Sequence, residues 1–271
     1  MSKIQHILFV FEGEKTEKLI SRKFIEYYFS SNGKSIVTTA FCGEIYQLIA
    51  KMKEDGFGLG SIDLFPLLQD MPENKSLKEF KRDDFSETYL FFDYDPHASG
   101  ASDDKVKELL EFFSEETEEG KLFISYPMAE AVRCMDEKCK INCFSVLSVP
   151  LSIGNKFKNF SSIYSSDKFR SVKSWTREHW NEVVWRHCEK SNFIAHGLGL
   201  FPAVAISESE LFEGQLKEKL RRNRIYVLSS FPMMLASYYG MRKVKEMTIG
   251  RWCKKGALRK APWIGRYNHS A

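Results

Sequence analysis

The chain has 271 residues, 43% of them hydrophobic, 28% charged and 14% aromatic, which is enough apolar mass for one large core or a core with a smaller lobe. It contains no run of ~18 apolar residues, so no membrane span is expected; the opening MSKIQHILFVF lacks a small-residue cleavage site, so no secretory leader is expected either. Positions 217–266 hold 14 Lys and Arg against 2 Asp and Glu, a formal +12 inside a chain whose total is +4, so the remainder carries −8 and the chain is acidic in front and basic behind.

The first predicted element is a strand, HILFVF (6–11), a continuous apolar run of the kind covered on both faces in a parallel sheet. A helix over 15–30 follows, with Leu19, Ile20, Phe24, Tyr27 and Tyr28 on one side and SSNG as its stop. SIVTTAF (35–41) reads as a second strand and EIYQLIAKMKED (44–55) as a helix ending at Gly56. TYLFF (88–92) is the third strand, and 103–120 a helix with Val106, Leu109, Leu110 and Phe113 inward. KLFIS (121–125) is the fourth strand. Strand and helix alternating over this length predict an α/β domain at 1–139 with a mostly parallel sheet flanked by helices. Residues 140–222 read as an α-helical insertion. It holds a tryptophan-rich helix (171–193) and a second helix (207–223) that opens on a capping-box pattern. A last strand, IYVLSSF (225–231), is expected to return to the sheet, with a helix after it and a basic tail, together filling 223–271. Trp175, Trp180 and Trp185 recur every five residues and cannot all share one helical face; some are expected in the core and one at a partner surface.

Carboxylates stand just past three of these strands. The first is followed by Glu12, the third by Asp93 and Asp95, and the fourth, a few residues on, by Glu130. Functional groups in open parallel sheets gather beyond the carboxyl ends of the strands, so these four are expected to converge there. The Asp-x-Asp side chains are expected to point similarly, leaving room for a hard cation. Several carboxylates with open positions suit Mg²⁺ or Mn²⁺, which take oxygen ligands and retain water. Singly, each has a structural reading: Glu12 and Glu14 as helix-start charges, and Asp93–Pro96 as turn chemistry. Their joint placement after successive strands favours a site. Cys134, Cys139 and Cys143 lack the CxxC pair of a zinc site, and scattered cysteines fit a reducing, cytoplasmic setting.

FVFEGEKTE followed by YLFFDYD resembles the Toprim fold of topoisomerases and primases, in which Glu-Gly follows the first strand and Asp-x-Asp the third. The likeness is greater to the overcoming-lysogenization-defect and RloB-like group of phage-defence nucleases, where the opening reads like EGEKTE and a later strand ends in Pro-x-x-Glu, here Pro127 and Glu130. It spans roughly 4–135 and extends to 225–240; residues 140–222 resemble nothing comparable. The resemblance implies a Mg²⁺-dependent nuclease of antiviral defence. Glu12 would be a ligand or general acid/base, Asp93 and Asp95 would hold the metal, and Glu130 would be a further ligand. Glu17, Lys15 and His97 are weaker candidates. A haloacid-dehalogenase phosphatase also uses Asp-x-Asp, but after its first strand, where this chain has Glu-Gly.

The basic stretches KEKLRRNR, RKVK and RWCKKGALRK interleave cations with Trp252, Trp263 and Tyr267. Cations neutralise phosphates and rings stack on unpaired bases, so Arg221, Arg222, Arg224, Lys254 and Lys255 are the expected nucleic-acid contacts. The chain has no Gly-x-x-x-x-Gly-Lys-Ser/Thr loop, so an ATPase would be a separate protein. The resemblance implies one of the ABC or overcoming-lysogenization type. A second copy of the chain in the active state is also expected. RNA, transfer RNA above all, is the substrate the resemblance favours. The alternatives are a DNA-cutting enzyme, a Toprim-like subunit that binds without cutting, and a housekeeping enzyme of RNA maturation or DNA repair.

Overall fold

The computed structural model describes residues 5–30, 35–43, 46, 63–98, 100–136 and 143–250. Its centre is a five-stranded sheet in the order β2-β1-β3-β5-β4. Strands β1 (Gln5–Phe11), β2 (Ser35–Phe41), β3 (Glu87–Asp93) and β5 (Gly120–Ser125) run parallel, and the two-residue β4 (Ser114–Glu115) pairs antiparallel at the edge. The continuous apolar runs form strands buried on both faces, as expected.

Side chains alternate across the sheet. Leu8, Val10, Leu90 and Phe92 turn to the face covered by α2 (Leu64–Gln69) and α3 (Asp103–Phe112). On the other face the register lines up Phe41, Phe11, Phe91 and Phe123 in one rung across four strands. Helix α1 (Thr16–Tyr28) covers that face with Phe24, whose ring lies 5.2 Å from Trp180 and 5.3 Å from Phe231. Phe231 stacks on Phe91 at 5.0 Å and a 22° interplanar angle.

The later helices pack on this same core. Past α4 (Phe157–Tyr164), the long α5 (Arg177–His196) lies against α6 (Glu208–Arg222), α7 (Ser230–Tyr239) and α8 (Met241–Thr248). All three expected tryptophans are buried, including the one assigned to a partner: Trp175 precedes α5 and meets Trp180 edge-on at 5.1 Å, while Trp185 packs on Phe201 at 4.2 Å. Trp180 and Trp185 both belong to α5 and leave it on different sides, because five residues turn a helix by about 140°.

Two expected elements differ from the structure. The helix at 103–120 ends at Phe112, because the glutamates of 115–119 would repel at helical spacing and the chain instead turns back as the β4–β5 hairpin. Gly120, at φ +114°, permits that turn. The last strand is also shorter than expected: β7 (Arg224–Tyr226) pairs with β6 (Ser148–Pro150) in a separate antiparallel sheet, and only Leu228 reaches the main sheet, bridging Tyr126. Ser229 and Pro232 start α7 where the strand was expected to continue. The helix expected at 44–55 lies outside the described residues apart from Tyr46.

Helices α5 and α6 cross closely at Gly214. A Cβ there would stand 2.5 Å from the Ile194 carbonyl oxygen and 2.7 Å from its Cγ2. Backbone cannot yield as a flexible side chain can, so Gly214→Ala is expected to cost about 1–3 kcal/mol in urea unfolding despite the better helix propensity of Ala. An unchanged denaturation midpoint would mean that the two helices separate without cost.

Candidate active site

The phenylalanine rung ends one or two residues short of the charges. Glu12 follows β1 directly and Asp93 closes β3, and the two strands are neighbours. Their ends are tied together: Glu12 N–H donates to the Phe91 carbonyl at 3.2 Å, and Asp93 N–H donates to Glu12 Oε2 at 3.0 Å. The sheet thereby fixes one oxygen of Glu12. Asp93 in turn accepts the N–H of Ala129 from the loop after β5, so three strand ends are linked through two carboxylates.

Glu130 is buried in the short helical turn Ala129–Arg133, and its Oε1 accepts from the Thr16 hydroxyl of α1 at 3.4 Å. Glu17, read from sequence as a helix-start charge, is also buried. Its carboxylate folds back over Gly13 and accepts that residue's N–H; a Cβ on Gly13 would lie 3.1 Å from Glu17 Oε2. The Glu-Gly pair therefore has a local reason: glycine leaves the space that a second carboxylate fills.

Asp93 lies within the fields of Glu12, Glu17 and Glu130. Burial, first, and then these three charges push its carboxyl well above the usual carboxylate range. Burial and Glu130 raise Glu17 likewise, against the opposing charge of Lys158 from α4. Burial raises the Tyr46 hydroxyl to about 12, with help from Asp95, Asp103 and Glu12.

Four of the singled-out carboxylates thus stand at the carboxyl end of the sheet, but Asp95 differs from its partner. The strand ends at Asp93, so the two-residue alternation no longer applies. Asp95 is exposed and its Oδ1 accepts the N–H of His97 at 2.9 Å, a tight turn over Pro96. His97 Nε2–H donates to the Leu151 carbonyl at 2.8 Å and ties this turn to the segment that leads into α4.

The donor set suits a hard divalent cation: Glu12, Glu17, Asp93 and Glu130 offer oxygen alone. As the side chains sit, no three His, Cys, Asp or Glu among the described residues are grouped to hold one ion. Glu12 is drawn to the Asp93 amide and Glu130 to Thr16. Mg²⁺ commonly needs only one or two protein carboxylates, its other positions taken by water and substrate phosphate.

The expected basic residues lie elsewhere. Arg221 is exposed on α6, Arg222 reaches Glu218 at 3.4 Å, and Arg224 donates to the Ser148 hydroxyl and carbonyl, where it holds β7 to β6. Lys254 and Lys255 lie outside the described residues. Sequence reading missed Arg133, which lines a cleft with Glu130, and from 140–222 it missed Arg170 and Lys173 of the same cleft and Lys158, whose charge acts on Glu17. Arg133 had one available signal, its place three residues after Glu130. Among the described residues no helix is long and apolar enough to cross a membrane. Comparison of the chain with family models, with curated proteins and with solved structures finds no match.

Proposed function

We propose that the protein is a Mg²⁺- or Mn²⁺-dependent nuclease of the Toprim kind, cutting RNA in preference to duplex DNA, with transfer RNA favoured. In this reading it is the toxic effector of a cytoplasmic antiviral system and is held in check by a separate ATPase of the ABC or overcoming-lysogenization type. One observation carries the reading. A half-buried aspartate at the end of a central parallel strand sits within the fields of three further carboxylates, drawn from α1 and from the ends of the neighbouring strands. Such crowding raises the free energy of the folded chain and is commonest where a charged ligand relieves it. The motif order adds to this, with Glu12-Gly13 after the first strand, Asp93 after the third and Pro127/Glu130 after the next.

Asp93, with Glu12 or Glu130, would hold the cation, which supplies charge stabilisation at the oxygens of a phosphodiester displacement. Asp93 is fixed by the Ala129 amide, and Thr16 orients Glu130. Glu12, partly buried as Asp93 is, would serve in proton transfer at the attacking or leaving oxygen.

The test is cleavage of labelled transfer RNA and duplex DNA by protein stripped of metal, with Mg²⁺ restored in one arm. Glu12→Gln keeps size and hydrogen bonding, and is expected to lower the cleavage rate by about 10²–10⁴ while substrate binding persists. Cleavage by Glu12→Gln near the wild-type rate would return Glu12 to a capping role. Fragmented genomic DNA with intact transfer RNA, after induction in cells, would overturn the substrate assignment. A second reading, a subunit that binds without cutting, is favoured by the absence of a ready ligand trio among the described residues. Absence of any Mg²⁺-dependent cleavage, with binding intact, selects it.

A further inference from the structure

A cleft of about 300 Å³ opens beside the carboxylates, between α1 and the segment 170–173. Its size is at the small end of pockets that take a single ligand group. Its apolar lining is the partly exposed Leu19 of α1, with the buried Ile20, Val132 and Val172 behind it. The cleft also carries Arg133, Arg170 and Lys173, and Glu130 closes the end toward Asp93.

Arg133 is pre-positioned. Its Nε and one terminal nitrogen donate to the Ser161 hydroxyl at 3.1 and 2.9 Å, and that terminal nitrogen also donates to the Lys158 carbonyl at 3.1 Å. These partners are neutral, and no carboxylate among the described residues pairs with the guanidinium, so its charge is left to act on the cleft. Arg170 has only an exposed pair with Asp167, 2.8 Å away on the same short turn, which competes weakly for it. The cleft therefore offers positive charge and apolar surface side by side, next to four carboxylates.

That combination matches one nucleotide whose base is turned out of any helix. A duplex shows its phosphates but keeps its base faces stacked inward, and would leave the apolar lining uncovered. An unpaired strand presents phosphate and base face together. We propose that this cleft is a subsite for one unpaired nucleotide of the strand on which the carboxylate cluster acts, its phosphate held by Arg133, Arg170 and Lys173 and its base laid against Leu19. The proposal rests on the reading of that cluster as a phosphodiester-cleaving site and adds its selectivity: the scissile region is single-stranded, as in a loop or a frayed end.

The experiment measures binding without metal, by fluorescence anisotropy in EDTA, so it does not depend on cleavage. The probes are a short single-stranded oligonucleotide, its blunt duplex, and the single strand with abasic sites throughout. The full-length protein is expected to bind the single strand more tightly than the duplex or the abasic strand. Arg170→Glu with Lys173→Glu, both at exposed positions, is expected to weaken single-strand binding. The same double variant should make the salt dependence shallower by about 0.7, the slope of the one phosphate that is no longer neutralised. Equal affinity for single strand and duplex, equal affinity for normal and abasic strands, or a salt slope unmoved by the double variant would each overturn the subsite. Failure of the nuclease reading has a different signature, binding as expected but no Mg²⁺-dependent cleavage. If the nuclease reading stands and the subsite fails, cleavage continues at the same rate in the double variant.

Discussion

Asp93→Asn is expected to raise the melting temperature of the metal-free protein and to remove its stabilisation by Mg²⁺. The wild-type carboxyl is pushed well above its ordinary range by burial and by Glu12, Glu17 and Glu130, so its ionised form opposes folding. Asparagine removes the charge while its carbonyl oxygen can still accept the Ala129 amide. Mg²⁺ at about 100 times its dissociation constant would add about 2.7 kcal/mol to the wild type. In a chain of this length that is a rise of roughly 5–10 °C in Tm. The variant should show almost none of it and should not cleave. Equal Mg²⁺ shifts in wild type and Asp93→Asn would remove Asp93 from any metal site. The same measurement on Asp95→Asn shows whether the solvent-facing aspartate gives a ligand once an ion is bound; its expected share of the shift is smaller.

Glu208→Gln is expected to stabilise the protein at neutral pH by roughly 3 kcal/mol and to flatten its stability between about pH 4.5 and 8. Strand β4 is too short to pair with Ile124, and Glu208 Oε2 accepts that edge N–H at 3.3 Å. Among the described residues the other oxygen has no hydrogen-bond partner, and neither has the buried Tyr126 hydroxyl that lies within its field. Burial pushes the Glu208 carboxyl up to about 8 from an ordinary 4.5, with the Ile124 amide and Lys121 pulling weakly the other way. Between those two values the folded protein keeps a proton that the unfolded chain has released. Stability therefore falls as pH rises, by up to about 1.4 kcal/mol per unit, and the fall ends above the folded pKa. Glutamine does not titrate and still accepts from Ile124. Urea unfolding of both proteins at several pH values isolates the contribution. Parallel curves would mean that Glu208 is ionised when folded.

Much of the sheet was legible because its strands are continuous apolar runs, and burial on both faces admits few other sequences. The helix boundary at Phe112 was not, since Val106, Leu109, Leu110 and Phe113 keep helical spacing right up to the turn. The strand at 225–231 misled for a related reason. Ile225, Val227 and Leu228 are buried and look like a strand, yet Ser229 and Pro232 carry the stronger local signal for a helix start. At the candidate site, Glu12, Asp93 and Glu130 were readable from their positions after strands. Glu17 stood only as a weaker candidate, because the same letter at a helix start serves equally as an exposed cap, and only the space above Gly13 shows it turned inward. Arg133 could be associated with the carboxylates only through its place three residues after Glu130, and Arg170 and Lys173 not at all from sequence, since their meeting depends on how 140–222 folds back over α1.

The stacking of Phe231 on Phe91 and Phe11 has a consequence for biosynthesis. Ribosomes deliver β1 first, and the sheet strands are complete by Ser125, but the ring that closes this face emerges more than a hundred residues later. Until then, among the described residues, α1 is the helix that shelters the rung of phenylalanines, and the rest of it is a surface that chaperones and neighbouring chains would bind. The Ser125–Ser230 hydroxyl contact at 2.8 Å, and the bridge from Tyr126 to Leu228 beside it, also wait for that late segment. A nascent chain carrying every carboxylate of the candidate site would therefore still lack its completed core, and the site could not work until the segment around Phe231 had joined the sheet.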